Sequence, residues 1–338
     1  MENTLVFGLG GIGGIYALIL KRSKKTSIST VARSNYGVVK AHGLQVQSPI
    51  FGDETLLFDN VYDASSSAKP EHEFSYIVVS TKALPQVKPS LVESISPYVT
   101  SGAAGTTIVL LQNGVGIEDE IRRRWPENCF ITGVVWIAAS QTALGTVRHY
   151  RATSTTIGPF NISSLGLKSP TSPHELERLD TFAKMLVHGG GEVSVVPDHI
   201  LMQTERWVKV AWNCAWNPLT ALTDLDTASY LGSSTWAEPM ARRLVHEVVA
   251  VAKGLGLELD ADGKIREDAI IESVKHEPLT TSMRNDTHNH RPMEVEAILG
   301  YPLTCAKSLG IDTPVLETLY LLMNAIDGRF VGRIKALV

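Results

Sequence analysis

Cysteine is scarce in this chain, with three in 338 residues, Cys129, Cys214 and Cys305, far apart and odd in number. A disulfide framework and a zinc-type ligand spacing are therefore excluded, and reduced thiols in a cytosolic setting are expected. Surplus positive charge is missing as well, since the formal net charge is -4. Broad nucleic-acid binding is not expected, although a local basic pocket for a phosphate is compatible with that balance. Long apolar runs are also absent. The stretch from Leu5 to Leu20 is rich in glycine, has no basic segment before it, and falls short of the roughly 20 residues a spanning helix needs. No membrane association is expected. The terminal Lys335-Ala336-Leu337-Val338 carries no sorting or prenylation signal, so the cytoplasm is the expected compartment. Low complexity is confined to Ser65-Ser66-Ser67, within a surface loop from Ala64 to Pro70. His288 and His290 stand at i, i+2, a spacing that does not share a helix face, so no metal site is expected.

The composition that is present, 44% hydrophobic and 20% charged, is that of a folded globular protein, and the length suits two domains. Short apolar runs alternate with helical patterns: strand Thr4 to Gly8, helix Ile12 to Leu20, strand Ser27 to Ala32, strand Tyr76 to Thr81, a helix-like stretch from Val87 to Val99, and strand Thr106 to Leu111. Such alternation predicts an α/β fold with a doubly wound parallel sheet of the Rossmann type. From Cys129 to Phe160 the runs, such as Ile131 to Ile137 and Thr153 to Ile157, read as later strands of that sheet with some antiparallel pairing. The last strand is Glu192 to Val196. Beyond Pro197 the pattern is helical to the end. The expected division is a nucleotide-binding domain over residues 1–197 and an all-helical substrate and catalytic domain over 198–338.

Gly8-Leu9-Gly10-Gly11-Ile12-Gly13 matches G-x-G-x-x-G, and it falls between a strand and a helix, where the physics requires it. The first glycine allows the tight turn, Gly10 lets the backbone approach a pyrophosphate, and Gly13 lets helix and strand pack closely. The helix N-terminus then offers its free N–H groups to the anion. The second strand ends in Val31-Ala32-Arg33-Ser34, with no carboxylate for a ribose 2'-hydroxyl. Arg33 suits a 2'-phosphate instead, so NADPH is the expected cofactor. Lys82, just beyond the strand ending Ser80-Thr81, is a second candidate for cofactor contact.

A further pattern lies between Glu205 and Pro218. On a helix, Lys209, Asn213 and Asn217 fall at i, i+4 and i+8, one polar stripe on an apolar and aromatic segment. A lysine is rarely buried without a reason and shifts its pKa readily when it is. The stripe is read as a site, with Pro218 expected to kink the helix near Asn217.

Taken together, the glycine motif, Ser80-Thr81-Lys82, Gln112-Asn113-Gly114-Val115-Gly116, the Lys209 segment, and Thr281-Ser282-Met283 followed by Glu294 resemble the ketopantoate reductase family over nearly the whole chain. The resemblance implies NADPH-dependent reduction of a 2-keto acid to a D-2-hydroxy acid, 2-dehydropantoate to pantoate, in pantothenate biosynthesis. It implies that Lys209 is the general acid and that Asn113, Asn213 and Asn217 position substrate or nicotinamide. Ser282 would contact the substrate carboxylate, and Glu294 would bind the substrate hydroxyl. The residue types agree with that chemistry: a lysine ammonium both protonates and stabilises a developing alkoxide, and amides orient a carboxylate without repelling it. The site is expected in a cleft between the domains, with the glycine turn on one wall and Lys209, Ser282 and Glu294 on the other. The expected partner is a small 2-keto acid, and a homodimer is compatible with the resemblance.

Trp212 and Trp216 are larger than the aliphatic residues of the family's helix and keep one further reading open, and a second stands apart from them. One is a related enzyme for a bulkier, mandelate-type 2-keto acid or a secondary metabolite. The other is a non-catalytic NADP-binding regulator, against which the joint presence of Lys209, Asn213, Ser282 and Glu294 argues.

Overall fold

Four-residue runs such as Tyr76-Ile77-Val78-Val79 and Thr107-Ile108-Val109-Leu110 are buried along their whole length, as strands covered on both faces must be. The computed structural model describes residues 1–66, 70–160, 171–259, 264–275 and 278–332. Ser67 of the serine run and the terminal Lys335 to Val338 lie outside them.

Among the described residues, the strands in chain order are β1 (Glu2–Phe7), β2 (Thr26–Ala32), β3 (Leu44–Gln47), β4 (Glu54–Leu56), β5 (Asn60–Asp63), β6 (Tyr76–Val79), β7 (Thr107–Leu110), β8 (Phe130–Val135), β9 (Ala138–Ala143), β10 (Thr146–Arg151), β11 (Ser154–Pro159) and β12 (Glu192–Val195). The helices among them are α1 (Gly11–Ser23), α2 (Tyr36–His42), α3 (Leu91–Ile95), α4 (Glu118–Arg124) and α5 (Pro173–His188). Eight strands form one sheet in the order β12-β11-β8-β7-β6-β1-β2-β5. Neighbours are parallel except β8 and β11, which are antiparallel. Side chains alternate between the faces. Val6, Val78, Val109 and Ile131 join a core with α1 and α5, while Leu5, Ile77, Ile108 and Phe130 join a second core on the opposite face.

Two sequence expectations change. The strands between Cys129 and Phe160 do not all belong to one sheet: β9 and β10 leave it and build a second, four-stranded sheet in the order β4-β3-β10-β9. The reason lies in their polarity. The residues of β8 are almost all buried, whereas β9 is half-exposed and β10 alternates, which suits a sheet covered on one face. The helix expected from Val87 to Val99 is shorter, starting at Leu91 and passing into a 3-10 turn at Ser96–Tyr98. Pro89 holds the preceding residue out of helical geometry, and Ser90 with Glu93 forms a capping box that fixes the start.

The chain divides into two compact units, and the division falls inside a helix, between Met202 and Gln203. The second unit comprises Gln203 to Val338 together with two short segments, Lys82–Lys88 and Asn113–Ile117, which follow β6 and β7 in the chain. Its described helices are α6 (His199–Thr223), α7 (Thr227–Gly232), α8 (Ala237–Gly254), α9 (Lys264–Lys275), α10 (Ser282–His288), α11 (Tyr301–Leu309) and α12 (Pro314–Phe330), with a π-helical turn at Glu296–Gly300 before α11. Pro218 lies inside α6, which continues as helix to Thr223. No described helix is long and apolar enough to cross a membrane.

Candidate active site

In the first unit the glycine turn is built as the motif requires. Gly8 turns the chain at φ +101°, and a Cβ on Gly13 would lie 1.9 Å from the Gly8 carbonyl oxygen, so helix α1 reaches the strand only because that position is bare. A Cβ on Gly10 would meet nothing within 4 Å. Open space at the N-cap of α1, with no side chain capping it and no carboxylate in its first turn, leaves its first N–H groups suited to an anion. A turn of this geometry suits the pyrophosphate of a dinucleotide. Leu9 is buried in the core and would meet a ligand through backbone only, while Ile12 is partly buried and packs against that core. Gly11 lies against the backbone of Ala139 in β9. Arg33 is exposed immediately after β2.

Asn35, two residues on, was not legible as a site residue. It is buried, its amide donates to the Leu9 carbonyl at 3.1 Å, and its oxygen accepts the Gly145 N–H at 3.0 Å. It also exchanges hydrogen bonds with Gln141 at 3.2 Å. One amide thereby fastens the loop carrying Arg33 to the glycine turn and to the small sheet.

In the second unit, α6 places Lys209, Asn213 and Asn217 on one face, as the spacing predicts. Lys209 keeps part of its side chain in contact with solvent, yet removal of its ammonium from water pushes its pKa down to about 7. Its Nζ stands 5.0 Å from the ring centroid of Trp212, a cation–π contact. The Trp212 indole N–H donates to Ser273 of α9 at 3.3 Å. Trp216 differs: it is fully buried and is core. Asn213 and Asn217 are buried, and the Asn213 amide nitrogen and both amide atoms of Asn217 find no hydrogen-bond partner among the described residues. An unmet buried polar group costs about 1–3 kcal/mol, so three such atoms one turn apart mark a place that polar ligand atoms would satisfy.

Around this face runs a circuit of contacts that begins and ends on α6. Arg206, one turn before Lys209, donates to the Gly114 carbonyl at 2.9 Å. Asn113 beside it donates to Glu294 at 3.2 Å, and the other Glu294 oxygen accepts the Ala83 N–H at 2.9 Å. Lys82, next to Ala83, pairs with Asp286 on α10 at 2.6 Å and donates to the Pro292 carbonyl at 2.9 Å. Thr281, the N-cap of α10, meets Thr220 of α6 at 2.7 Å through their hydroxyls. The circuit brings together Lys82, Asn113 and Glu294, and it ties Ser282, exposed at the start of α10, to the helix of the stripe. Glu294 is buried, which raises its pKa, and the Ala83 N–H and Asn113 amide oppose that rise. Both its oxygens hold backbone or side chain, a tethering role that the sequence did not announce. Lys82 likewise spends its charge on Asp286. Arg206, Asp286 and Thr220 were not singled out from the sequence, and Thr281 entered only as a member of the Thr281-Ser282-Met283 motif. A three-residue step from Lys209 back to Arg206 and from Asn217 on to Thr220 was the available signal, since both extend the same helix face.

A parallel sheet with a glycine turn at an open helix N-terminus, joined in one chain to a helical unit carrying a desolvated lysine among unmet amides, defines a dinucleotide-binding oxidoreductase of the CH–OH/keto type. The chain belongs to the ketopantoate reductase PanE/ApbA family: the family's pattern matches residues 4–161, and its C-terminal counterpart matches residues 201–327. It is 27% identical over 329 residues to the 2-dehydropantoate 2-reductase of Nostoc sp., covering 96% of this chain and 95% of that one. Its fold superposes on the crystal structure of 2-dehydropantoate 2-reductase from Methylococcus capsulatus with a TM-score of 0.82 at 30% identity, over 99% of each chain. A D-mandelate dehydrogenase solved with NADH and anilino(oxo)acetate shares the fold at 21% identity, with a TM-score of 0.81 over 98% of this chain and 100% of that one.

Proposed function

We propose that this enzyme reduces a 2-keto acid to the D-2-hydroxy acid with NADPH, and that the substrate is 2-dehydropantoate. The observation that carries the reading is the α6 face, a lysine with its pKa near 7 beside buried amides that lack partners. A bound nicotinamide dinucleotide supplies hydride to the keto carbon. Lys209 gives a proton from Nζ to the keto oxygen, and its charge stabilises the alkoxide as it forms. Near neutral pH a lysine of that pKa is divided between acid and base, so it donates readily and is recharged from solvent. The amides of Asn213 and Asn217 orient the carboxylate and keto groups without adding negative charge, and the Ser282 hydroxyl completes the carboxylate's partners. Glu294 holds the Lys82–Lys88 and Asn113–Ile117 segments in register and keeps lone pairs for a substrate hydroxyl. The glycine turn and Arg33 hold the pyrophosphate and the 2'-phosphate.

A second reading is favoured by Trp212, whose ring lies under the Lys209 ammonium and is part-exposed: an aromatic 2-keto acid of the phenylglyoxylate type would find an aromatic surface beside the proton donor. Steady-state NADPH oxidation with 2-dehydropantoate, phenylglyoxylate and branched aliphatic 2-keto acids separates the two. A kcat/KM highest for 2-dehydropantoate supports the first reading, one highest for phenylglyoxylate the second, and turnover of none of them removes both.

A further inference from the structure

We infer that Thr220 is a positioning residue for the carboxylate end of the substrate, acting through Thr281 on Ser282. This rests on the 2-keto-acid reading above. Thr220 is fully buried and lies one helical turn beyond Asn217. Its Oγ1 has three neighbours: Thr281 Oγ1 at 2.7 Å, the Trp216 carbonyl at 2.7 Å and the Asn217 carbonyl at 3.3 Å. Two of these are carbonyl oxygens, which only accept. A proton aimed at Thr281 would leave Thr220 and the Trp216 carbonyl facing each other with lone pairs alone at 2.7 Å. The direction is therefore set: Thr220 donates back to its own helix, and Thr281 donates to Thr220. Thr281 Oγ1 in turn accepts the Arg284 N–H at 3.2 Å, capping α10.

One buried hydroxyl pair thus fixes the start of α10 to α6 at the turn that carries Asn217. Ser282 is the residue directly after Thr281, so this contact sets where the Ser282 backbone stands relative to the turn that carries the unmet Asn217 amide. A hydrogen bond placed only to stabilise the unit would be interchangeable with packing. One that sets a binding distance is felt first in the affinity for the ligand bridging it.

The test is Thr220→Val, which keeps shape and removes the hydroxyl, with Thr220→Ser, which keeps the hydroxyl. KM for the 2-keto acid, kcat, the dissociation constant for NADPH and the melting temperature are measured on each. Thr220→Val is expected to raise KM for the 2-keto acid roughly three- to tenfold, the range of one neutral hydrogen bond. Turnover and NADPH affinity should stay within about twofold, and Thr220→Ser should restore the wild-type KM. Thr281→Val probes the same contact from the other side if Thr220→Val does not fold, and it should raise the same KM. The double variant should be no worse than the poorer single one, because both remove one bond. An unchanged KM with a lowered melting temperature overturns the inference, as does an equal rise for NADPH or a failure of serine to rescue. A wild-type enzyme that reduces no 2-keto acid removes the underlying reading instead, and the inference with it.

Discussion

The first unit offers a ligand its backbone and the second offers side chains. At the glycine turn everything that matters lies within six consecutive residues, and the useful feature is what is missing, a Cβ at Gly13 and any neighbour at Gly10. On α6 the useful groups are a lysine and two amides, and the helix that carries them is tied through Arg206 and Thr220 to a circuit drawn from five stretches of chain: Lys82–Ala83, Asn113–Gly114, Thr281–Ser282, Asp286 and Glu294. The first kind of site is made by local geometry and tolerates little change at its own positions. The second is made by partners far away in sequence, so its properties can be altered from a distance.

The largest effect expected from breaking this contrast is at Lys209. A positioned general acid contributes typically about 10² to 10⁴ in rate, so Lys209→Ala should lower turnover by at least roughly two orders of magnitude. NADPH should still bind, because its proposed holding groups belong to the first unit. Turnover and NADPH affinity measured on one preparation check this, and near wild-type turnover would return the stripe to plain buried polarity.

Gly13→Ala is the counterpart in the first unit. Its methyl group would lie 1.9 Å from the Gly8 carbonyl oxygen and 2.4 Å from Ser80 Oγ, so backbone must move. Overpacking of this kind costs about 1–3 kcal/mol, seen as a lower denaturation midpoint, and NADPH affinity should fall with it. Stability and affinity both unchanged would show that α1 can slide away from β1 and that the close approach is not required.

These two sites were unequally legible before the structure. The glycine turn, the end of β2 and the Lys209 stripe are contiguous or periodic, so spacing alone exposes them, and the parallel sheet follows from alternating elements. The small sheet was missed because β3 and β4 are three or four residues long and β3 joins them to a strand about a hundred residues away, as in Gln45 with Thr146. Asn35 was missed for a similar reason: its partners Leu9, Gln141 and Gly145 are not its neighbours in sequence. Glu294 could be named by resemblance, yet its tethering of Ala83 and Asn113 depends on where two loops meet it. Pro218 was expected to take Asn217 out of helical geometry, and the helix instead includes both and runs on to Thr223. The missing N–H forfeits one bond to Cys214, a loss the buried helix absorbs.

The pH dependence sharpens the comparison with an effect of about tenfold. Burial lowers the Lys209 pKa to about 7, and reduction needs the protonated form. The rate of 2-keto-acid reduction should therefore fall as pH rises through about 7, and oxidation of the hydroxy acid, which needs the free amine, should rise over the same interval. Between pH 6 and pH 8 the protonated fraction of such a group drops roughly tenfold. Burial also raises the Glu294 pKa, and its protonation would weaken its hold on Ala83 and Asn113. A reduction rate flat from pH 6 to pH 9 would place the proton donor elsewhere.

The smallest effect is expected at Arg33, where the first unit departs from its reliance on backbone. Arg33 is exposed, so its pairing with a 2'-phosphate is screened by water and salt and is worth less than a buried bidentate contact. Its loop is nevertheless held in place by Asn35, whose bonds to Leu9 and Gly145 fix the end of β2 against the glycine turn. The guanidinium thus faces solvent from a loop tied down by Asn35. Arg33→Ala should raise KM for NADPH by a few-fold to about tenfold, as a charge-assisted but solvent-facing contact would, and leave KM for NADH unchanged, because only the 2'-phosphate is lost as a partner. The difference should shrink as salt is raised, since screening already weakens the wild-type contact. Asn35→Ala separates the charge from its mount: it should weaken NADPH and NADH alike, because it loosens the glycine turn that both share. A wild-type preference for NADH, or an equal loss for both cofactors in Arg33→Ala, would show that the end of β2 does not read the 2'-position.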